Sequence, residues 1–531
     1  MRIALIAPPY PLAEAPSPPL GISYVAAACI EAGTEVAVFD YIVSRYTPEK
    51  LRKDLDSFKP DVVGATAVTM NFFTAADIMK EAKHHNPGLI TMMGGPHVSF
   101  DIERTLKQYP ELDLIIIGEG EATLKELLPV IDDMQAWPGI NGIAFRDGEK
   151  VIITPPRPLI EDLDTLPLPA RHLLPLSRYQ ALGFPVSIIT SRGCPNRCIF
   201  CLGRKMVGFK VRHRSAANVV DEIEHLMTYG IDRINIADDI FTANKKRVKA
   251  LCEEIIKRDL HFGWSAFSRV NTVDIETLQL MKDAGCDAVS FGVESGNPEM
   301  LKRVRKGITM DQARAAVRYC KEVGIRTHAS FMIGLPGETH QTMADSSKFA
   351  EELDIEYGYH ALAPFPGTTV REEVDQYDLE ILTDNWDRYD ANRAIVRTSE
   401  LSAEELDRFM TDFEKTQSDG WEEVKERCRK NQCTENESFR VEGDYRMRLI
   451  FKLLTEDIIT EVGALAINGL KPSAELALQL APITGMQSDF ISKTIGTLVN
   501  AGYLKFDRIN GHVNWFWTHN NKVDRPVTEI V

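Results

Sequence analysis

The sequence has no apolar run long enough to cross a bilayer, and its start lacks the basic residues, long apolar stretch and small-residue cleavage site of a signal peptide. These absences predict a cytoplasmic protein without a membrane span. Positive charge is also in deficit, since 61 Lys and Arg residues face 77 Asp and Glu residues and give a formal net charge of −16. Because nucleic-acid binding depends on clustered cations, this deficit argues against a nucleic acid as the main partner.

Cysteine is scarce, and most of the nine residues lack metal-ligand spacing. We predict reduced thiols, several of them filling apolar cores, for the six scattered ones: Cys29, Cys252, Cys286, Cys320, Cys428 and Cys433. The other three, Cys194, Cys198 and Cys201, form a CxxxCxxC loop. In a reducing compartment such a group favours a metal site over a disulfide.

The spacing CxxxCxxC provides three thiolates for a four-iron cluster and leaves the fourth iron without a protein ligand. An open coordination position suits a catalytic centre, because a substrate can bind there. A zinc knot, or ordinary core thiols, is the alternative interpretation. Zinc would need a fourth ligand, for which His213 is the candidate.

Short apolar strands alternate with helices along most of the 531 residues, which exceed one ordinary domain. The pattern predicts an α/β protein with a doubly wound Rossmann-like domain, a partial (β/α) barrel, a helical segment and a winged-helix-like module. The predicted boundaries are 1–135 for the Rossmann-like domain, 136–180 for a Pro-rich linker with a small hairpin, 181–375 for the barrel, 376–440 for the helical segment and 441–531 for the last module.

The unusual residues of the predicted barrel follow its strands. The cysteine loop comes after the first strand, Asp238 and Asp239 after the second, Arg269 after the third and Glu294 after the fourth. Barrels of this kind carry their chemistry at the carboxyl ends of the strands. The sequence therefore predicts one site at that end of the barrel.

Two groups of stretches in the sequence resemble known families. ITSRGCPNRCIFC, with Phe200 beside the last cysteine, resembles the signature loop of the radical S-adenosylmethionine (SAM) superfamily, and FGVESGN, KGIT, FMIGLPGET and APFPGT continue the resemblance through the barrel. SPPLGISYVAAACIEAG, MMGGPH and IIIGEGE resemble the cobalamin (B12)-binding domain that precedes the barrel in one large subgroup. The combination resembles the cobalamin-binding radical SAM enzymes.

This resemblance implies a [4Fe-4S] cluster on the three cysteines, whose open iron holds SAM and whose electron yields a 5′-deoxyadenosyl radical. It also implies a set of SAM-binding residues: Phe200 in the loop, Asp238 and Asp239 toward the methionine ammonium, Arg269 toward its carboxylate, Glu294 and Ser295 toward the ribose, and Gly334, Pro336 and Gly337 against the adenine. Acids at a helix start, a structural ion pair and plain turn glycines are the alternatives for these positions.

For the first domain the resemblance implies cobalamin at the carboxyl edge of the sheet. The implied contacts are Leu20, Gly21, Thr66, Thr69, Gly94, Gly95, His97, Gly118, Glu119, Gly120 and Glu121. No G-x-G-x-x-G follows the first strand, which argues against a dinucleotide site. The sequence also lacks the D-x-H-x-x-G string that places a histidine on cobalt, so cobalt would have a weak lower ligand or none.

The function implied by the resemblance is C-methylation of an unactivated carbon, with methylcobalamin as the methyl donor. A radical cyclisation, oxidation or rearrangement, as in the anaerobic tetrapyrrole cyclases, is the alternative. The implied partners are a small-molecule, natural-product, lipid or tetrapyrrole-type substrate and an electron donor such as flavodoxin or ferredoxin. A winged-helix DNA-binding regulator is a hypothesis of another class, but its recognition helix, DFISKTIGTLVNAG, has one Lys and no Arg.

Overall fold

The computed structural model describes residues 1–10, 16–466 and 470–520. Residues 467–469 and 521–531 of the predicted last module lie outside the described residues. The described chain forms two large, mainly parallel sheets covered by helices, followed by a helical segment and a small terminal module. Within these residues, none of the helices combines the length and apolarity that a bilayer crossing requires.

The first domain is a doubly wound sheet. Its strands are β1 (Arg2–Ala7), β2 (Glu35–Asp40), β3 (Val62–Thr66), β4 (Ile90–Gly94), β5 (Leu114–Ile116), β6 (Ile143–Asp147) and β7 (Lys150–Ile153). Its helices are α1 (Leu20–Glu31), α2 (Pro48–Phe58), α3 (Phe72–His85), α4 (Pro96–Phe100), α5 (Ile102–Gln108) and α6 (Gly120–Leu127). The strand order is β2-β1-β3-β4-β5-β6-β7, with the first five strands parallel. β1 is buried on both faces because helices cover the sheet on each side.

The predicted hairpin belongs to this sheet and not to the linker in which the sequence placed it. β6 pairs with β5 in antiparallel register, and Leu114 lies opposite Phe145. Pairing satisfies the backbone groups of an edge strand, which would otherwise remain open. The first domain therefore extends to Ile153.

The second sheet is the partial barrel. Its region contains the strands β8 (Val186–Ile188), β9 (Ser191–Arg192), β10 (Arg212–His213), β11 (Arg233–Ile236), β12 (Gly263–Ser268), β13 (Cys286–Glu294), β14 (Arg326–Ile333) and β15 (Glu356–Ala361). The helices are α7 (Leu176–Leu182), α8 (Gly203–Val207), α9 (Ala216–Thr228), α10 (Lys245–Lys257), α11 (Ile275–Asp283), α12 (Pro298–Arg303), α13 (Met310–Val323) and α14 (His340–Leu353). Six strands run parallel in the order β15-β14-β13-β12-β11-β8, while β9 and β10 form a separate antiparallel pair.

The rest of the chain is mainly helical. It contains α15 (Thr369–Glu372), β16 (Glu380–Ile381), β17 (Val396–Arg397), α16 (Ala403–Arg429), α17 (Glu435–Thr455), α18 (Ile458–Val462), β18 (Ala464–Ala466), α19 (Pro472–Thr484), α20 (Ser488–Asn500), β19 (Leu504–Ile509) and β20 (His512–Trp517). The long helices begin only at Ala403, later than the predicted residue 376. The last helices and the β19–β20 hairpin follow the predicted winged-helix order. The α/β fold class, with its helical C-terminal region, is confirmed.

Six cysteines were predicted to be reduced, and two of them are not. Cys428 and Cys433 form a disulfide across the turn between α16 and α17, with their Cα atoms 4.7 Å apart. The prediction is wrong for this pair because the turn brings together side chains that show no pairing signal in the sequence. The other four, Cys29, Cys252, Cys286 and Cys320, are free and buried, as predicted.

Candidate active site

The three loop cysteines lie at the carboxyl end of the barrel with hydrogen-bond donors directed at their sulfurs. Cys198 is buried, Cys194 is half-buried and Cys201 is exposed as a residue. The side-chain amide of Asn196 donates to Cys194 Sγ at 3.3 Å, and the Gly203 N–H donates to Cys201 Sγ at 3.4 Å. Donors of this kind stabilise thiolates that bind iron.

The loop fits a cluster better than a single metal ion. Protein crowded around the sulfur, with smaller contributions from the nearby Cys198 and Cys194 thiols, raises the pKa of Cys201 to about 11. The thiols are therefore close enough to interact. Yet among the described residues no three His, Cys, Asp or Glu side chains surround a point that could hold one ion, so His213 does not complete a zinc site. Three separate thiolates, each for a different iron, match the requirement of a [4Fe-4S] cluster.

Asp238 and Asp239 have different surroundings. The Asp238 carboxylate is buried and accepts hydrogen bonds from the backbone N–H and hydroxyl of both Thr190 and Ser191, at 2.5–3.1 Å. It therefore fixes the start of the cysteine loop. Asp239 is exposed, accepts from the Gly193 N–H at 3.1 Å and lies beside Gly203. Sequence reasoning missed Thr190 and Ser191, although two hydroxyls before the loop are a possible signal.

Arg269 and Glu294 flank the loop from the next strands. Arg269 is buried, and its Nη1 lies 3.7 Å from Cys198 Sγ, while Nη2 donates to the Lys306 carbonyl oxygen. Glu294 pairs with Lys306, another buried residue, at 2.6 Å. The Lys306 ammonium also lies 5.9 Å from the Phe200 ring centroid. Sequence reasoning missed Lys306, because no local spacing in the sequence links it to Glu294 or to Arg269.

Glu294 adopts a backbone conformation that residues other than glycine rarely adopt. Its φ is +71°, at a register shift between β13 and β14. Such strain costs about 1–3 kcal/mol and persists where surrounding contacts enforce it, often at functional sites. The next residue, Ser295, is fully buried and shares a 3.0 Å hydrogen bond with Ser346.

The turn formed by Gly334, Pro336 and Gly337 is held by two charged side chains that the sequence did not single out. Arg303 donates to the carbonyl oxygens of Pro336 at 3.1 Å and Gly337 at 2.6 Å. Glu338 accepts the Gly334 N–H at 2.6 Å. Burial raises the pKa of Glu338 to about 7, although the backbone N–H bonds oppose the shift. Gly334 and Gly337 have φ values of +74° and +67°, so the turn requires glycine at both positions.

The barrel lumen is lined by alternate residues of its strands. Phe267, Ser290 and His328 occupy one hydrogen-bonded row across β12, β13 and β14. Phe267 is 48% exposed, and His360 on β15 is also exposed. Tyr359, by contrast, is buried on the outer side of the sheet against the rings of Phe409 and Phe413 of α16. The row continues from His328 to Glu356 on β15, so the lumen wall combines an exposed aromatic ring with polar and charged side chains.

A glycine-lined cleft lies at the carboxyl edge of the first sheet. Its walls surround about 500 Å³ of space, part of which is open to solvent, and the predicted residues among its lining are Gly21, Thr66, Gly94, Gly95, Gly118 and Gly120. A Cβ added at Gly21 or Gly118 would meet no atom within 4 Å, so both positions face open space. Apolar side chains such as Leu5, Met92 and Ile116 complete the walls. A broad, shallow cofactor such as cobalamin fits this cleft.

Five residues of the predicted cobalamin set lie outside the lining of this cleft: Leu20, Thr69, His97, Glu119 and Glu121. Leu20 begins α1 and is half-buried. His97 is buried, lies 3.3 Å from the Thr69 hydroxyl and packs on Phe72 and Trp386 with ring centroids 4.1 and 5.1 Å away. Burial, with the nearby charges of Arg104 and Arg371, lowers the pKa of His97 to about 3. His97 is therefore a neutral core residue between the first domain and the segment after the barrel.

Glu119 and Glu121 pair with arginines of the barrel region. Arg192 contacts Glu119 at 3.0 Å and Glu121 at 2.6 Å, and Arg212 contacts Glu119 at 2.8 Å. Desolvation alone would raise the pKa of Glu119, but the hydrogen bond from Arg212 and the charge of Arg192 outweigh it and hold the pKa below its usual range. These two acids thus connect the first domain to the barrel.

Comparison with known proteins agrees with this geometry. A model described as the radical SAM superfamily matches residues 188–350, and a model of the B12 binding domain matches residues 13–128. An uncharacterized methyltransferase of Pyrococcus horikoshii, PH0819, is 37% identical over 418 residues, which are 77% of this chain and 91% of the relative. The chain belongs to the cobalamin-dependent radical SAM enzymes. As a radical SAM enzyme with a B12-binding domain, it uses a [4Fe-4S] cluster, SAM and cobalamin.

A second relative has a different named activity, and a solved structure shares the fold. The anaerobic magnesium-protoporphyrin IX monomethyl ester cyclase of Rubrivivax gelatinosus is 32% identical over 431 residues, 78% of this chain and 77% of the relative. The solved structure of OxsB, a cobalamin-dependent SAM radical enzyme, matches 94% of this chain and 80% of its own with a TM-score of 0.69 and 18% identity. That likeness confirms the predicted fold.

Proposed function

We propose that this enzyme transfers a methyl group from SAM, by way of cobalamin, to an unactivated carbon of a small molecule. The observation that carries the proposal is the 37% identity to a protein named as a methyltransferase, spread over 91% of that relative. Glu119, which lies between two residues that line the glycine-lined cleft, pairs with Arg192 and Arg212 beside the cysteine loop. This direct connection supports a reaction that uses both cofactors on one substrate.

We propose roles for the barrel residues from their contacts. When bound, the cluster on Cys194, Cys198 and Cys201 supplies the electron that cleaves SAM, and cobalamin supplies the methyl group. Asp239, whose carboxylate is exposed beside the loop, accepts hydrogen bonds from the methionine ammonium, while Asp238 positions the loop.

The remaining SAM contacts follow from the neighbouring strands. Arg269 neutralises the methionine carboxylate, since its guanidinium lies beside Cys198. Glu294 accepts hydrogen bonds from the ribose hydroxyls, with Lys306 holding its carboxylate and Ser295 fixing the strand end. The turn at Gly334–Gly337 lies flat against the adenine, and Phe200 packs beside Lys306.

For cobalamin we propose the glycine-lined cleft as the site. Gly21, Gly94, Gly95, Gly118 and Gly120 let the ring system approach the backbone, and the Thr66 hydroxyl lines the same cleft. Leu20, at the start of α1, borders it, and Thr69 acts only through His97. His97 has no place as a cobalt ligand in this proposal, because its ring is enclosed by Phe72 and Trp386.

A second candidate is ring formation or oxidation by a radical mechanism. Its support is the 32% identity to the named cyclase over 77% of that relative. We include tetrapyrrole-type, lipid and natural-product molecules in the proposed substrate class, because the exposed ring of Phe267 offers them an apolar surface. A DNA-binding role has less support, because Lys493, the one cation in the sequence of α20, pairs with Glu442 at 2.5 Å.

We also propose an external one-electron donor of the flavodoxin or ferredoxin class and a cytoplasmic location. The support for the donor is chemical, since cleavage of SAM consumes one electron per turnover. The support for the location is the oxygen-sensitive cofactor, which a reducing compartment protects, while the Cys428–Cys433 disulfide is an argument on the other side.

The experiment is an anaerobic reconstitution with iron, sulfide and hydroxocobalamin, followed by incubation with SAM and a strong reductant. Mass spectrometry measures 5′-deoxyadenosine and S-adenosylhomocysteine. We expect both products from the wild type and neither from Cys198→Ala. The control Cys252→Ala, which removes a buried thiol of α10 outside the cysteine loop, should keep both. Deoxyadenosine without cobalamin-dependent S-adenosylhomocysteine would contradict methyl transfer and favour the cyclase alternative.

A further inference from the structure

Glu119 joins three separate segments of the chain. Its carboxylate accepts hydrogen bonds from Arg192 at 3.0 Å, from Arg212 at 2.8 and 2.9 Å, and from the Ile160 N–H at 2.9 Å. Arg192 and Arg212 lie opposite each other in the β9–β10 pair, and Ile160 belongs to the linker. The carboxylate is thus the common acceptor for the barrel region and the linker.

On one side of this contact is the cobalamin cleft. Gly118 and Gly120, which flank Glu119, both line the cleft. The Glu119 side chain is only 6% exposed, so water cannot take the place of its arginine partners. A shift of the cleft edge therefore moves the Glu119 carboxylate with it.

On the other side is the cysteine loop. Arg192 is followed directly by Gly193 and Cys194. The Cys194 N–H donates to the Gly208 carbonyl oxygen at 3.1 Å, and Arg212 donates to the carbonyl oxygen of Val207 at 2.8 Å. Both ends of the loop thus depend on residues that Glu119 holds.

A buried ion pair of this kind is a costly way to stabilise a fold. Removing charges from water costs several kcal/mol per ion, and apolar residues of similar volume often stabilise a protein as well or better. Glu222 forms a second buried network, with Arg171 at 2.6 Å and with Arg214, which also donates to the Tyr24 hydroxyl of α1 at 3.3 Å. Glu222 itself lies on α9 and is not among the residues that line the cleft. The two networks have similar chemistry, but only Glu119 is flanked in the chain by two residues that line the cleft.

We propose that Glu119 is a positioning residue that couples cobalamin binding to the cluster loop. Assembly of the cluster fixes the loop and, through Arg192 and Glu119, fixes the cleft edge in its binding conformation. By reciprocity, bound cobalamin favours the ordered loop. The proposal rests on the cleft assignment made above.

The test measures binding and needs no substrate or turnover. Hydroxocobalamin is titrated by absorbance into the full chain, with and without the reconstituted cluster. For the wild type we expect the cluster to tighten cobalamin binding about tenfold, within the usual range of coupling between sites. Glu119→Gln should reduce this ratio to about one, whereas the matched Glu222→Gln should retain it.

Further variants keep the outcomes separate. Arg192→Lys is the substitute variant if Glu119→Gln folds poorly. It keeps the charge but loses the guanidinium fork that reaches both Glu119 and Glu121, so it should also reduce the ratio. A tenfold ratio retained in both variants would overturn the coupling, as would a ratio of one in the wild type. Unchanged cobalamin binding in Gly21→Leu, which fills the cleft, would instead refute the cleft assignment and the coupling with it.

Discussion

Gly193, the residue before the first cluster cysteine, provides a sharp test of how the loop is held. Its φ is +110°, and an added Cβ would lie 3.0 Å from the Lys210 carbonyl carbon and overlap its oxygen. A conformation of this kind costs a residue with a side chain about 1–3 kcal/mol. The forced displacement of backbone adds about 1–3 kcal/mol. We therefore expect Gly193→Ala to cost about 2–6 kcal/mol in the folded loop, unless the loop moves away.

The matched control is Gly183→Ala. Gly183 also has a positive φ, +80°, but an added Cβ there meets no atom within 4 Å. It should cost only about 1 kcal/mol. Iron and sulfide per chain, absorbance near 400 nm and the thermal midpoint are measured for both variants after reconstitution. We expect Gly193→Ala to lose more than half of its iron, whereas Gly183→Ala keeps it. Full iron content and an equal shift of the midpoint in the two variants would refute the proposed packing of the loop.

Three other predictions concern buried groups and the cleft. Because folding raises the pKa of Glu338 from 4.5 to about 7, its stabilising contribution is complete below about pH 4.5 and lost as pH rises to about 7. The loss amounts to about 3 kcal/mol. In urea unfolding between about pH 4.5 and 7, the free energy of unfolding of Glu338→Gln should fall by about 3 kcal/mol less than that of the wild type, because Asp40 and His97, which also titrate in the folded protein, are common to both; an unchanged slope would contradict this. Lys306→Met leaves the Glu294 carboxylate buried without its partner, so we expect a loss of about 3–5 kcal/mol and weaker SAM binding by calorimetry. The double variant Lys306→Met with Glu294→Gln should regain stability but not SAM binding. That result would show that the pair both stabilises the fold and takes part in SAM binding. Gly21→Leu should weaken hydroxocobalamin binding more than tenfold while the thermal midpoint stays or rises, because leucine favours the helix by about 1 kcal/mol.

Much of the fold could be read from local patterns. Strand–helix alternation identified both large sheets, because covering a parallel sheet with helices requires apolar strands and amphipathic helices in that order. The hairpin at residues 143–153 formed as a local unit, but its attachment to β5 depended on an edge 30 residues earlier in the chain.

The sequence by itself determined the cofactor class and predicted which cysteines hold the cluster. Cys194, Cys198 and Cys201 lie within one short loop, so their spacing already defines the chemistry. The glycines of the cleft were also visible in the sequence, since they lie at or within two residues of a strand end or a helix start.

Only the tertiary structure decided how the charged side chains are used. Asp238 and Asp239 are adjacent in the sequence, yet one is enclosed by Thr190 and Ser191 and the other is exposed. Glu119 meets Arg192 across 73 residues, and His97 meets Trp386 across nearly 300. A carboxylate or imidazole has the same local pattern whether it binds a ligand or a distant partner. Its role is fixed by the burial and the opposite charges that folding brings to it.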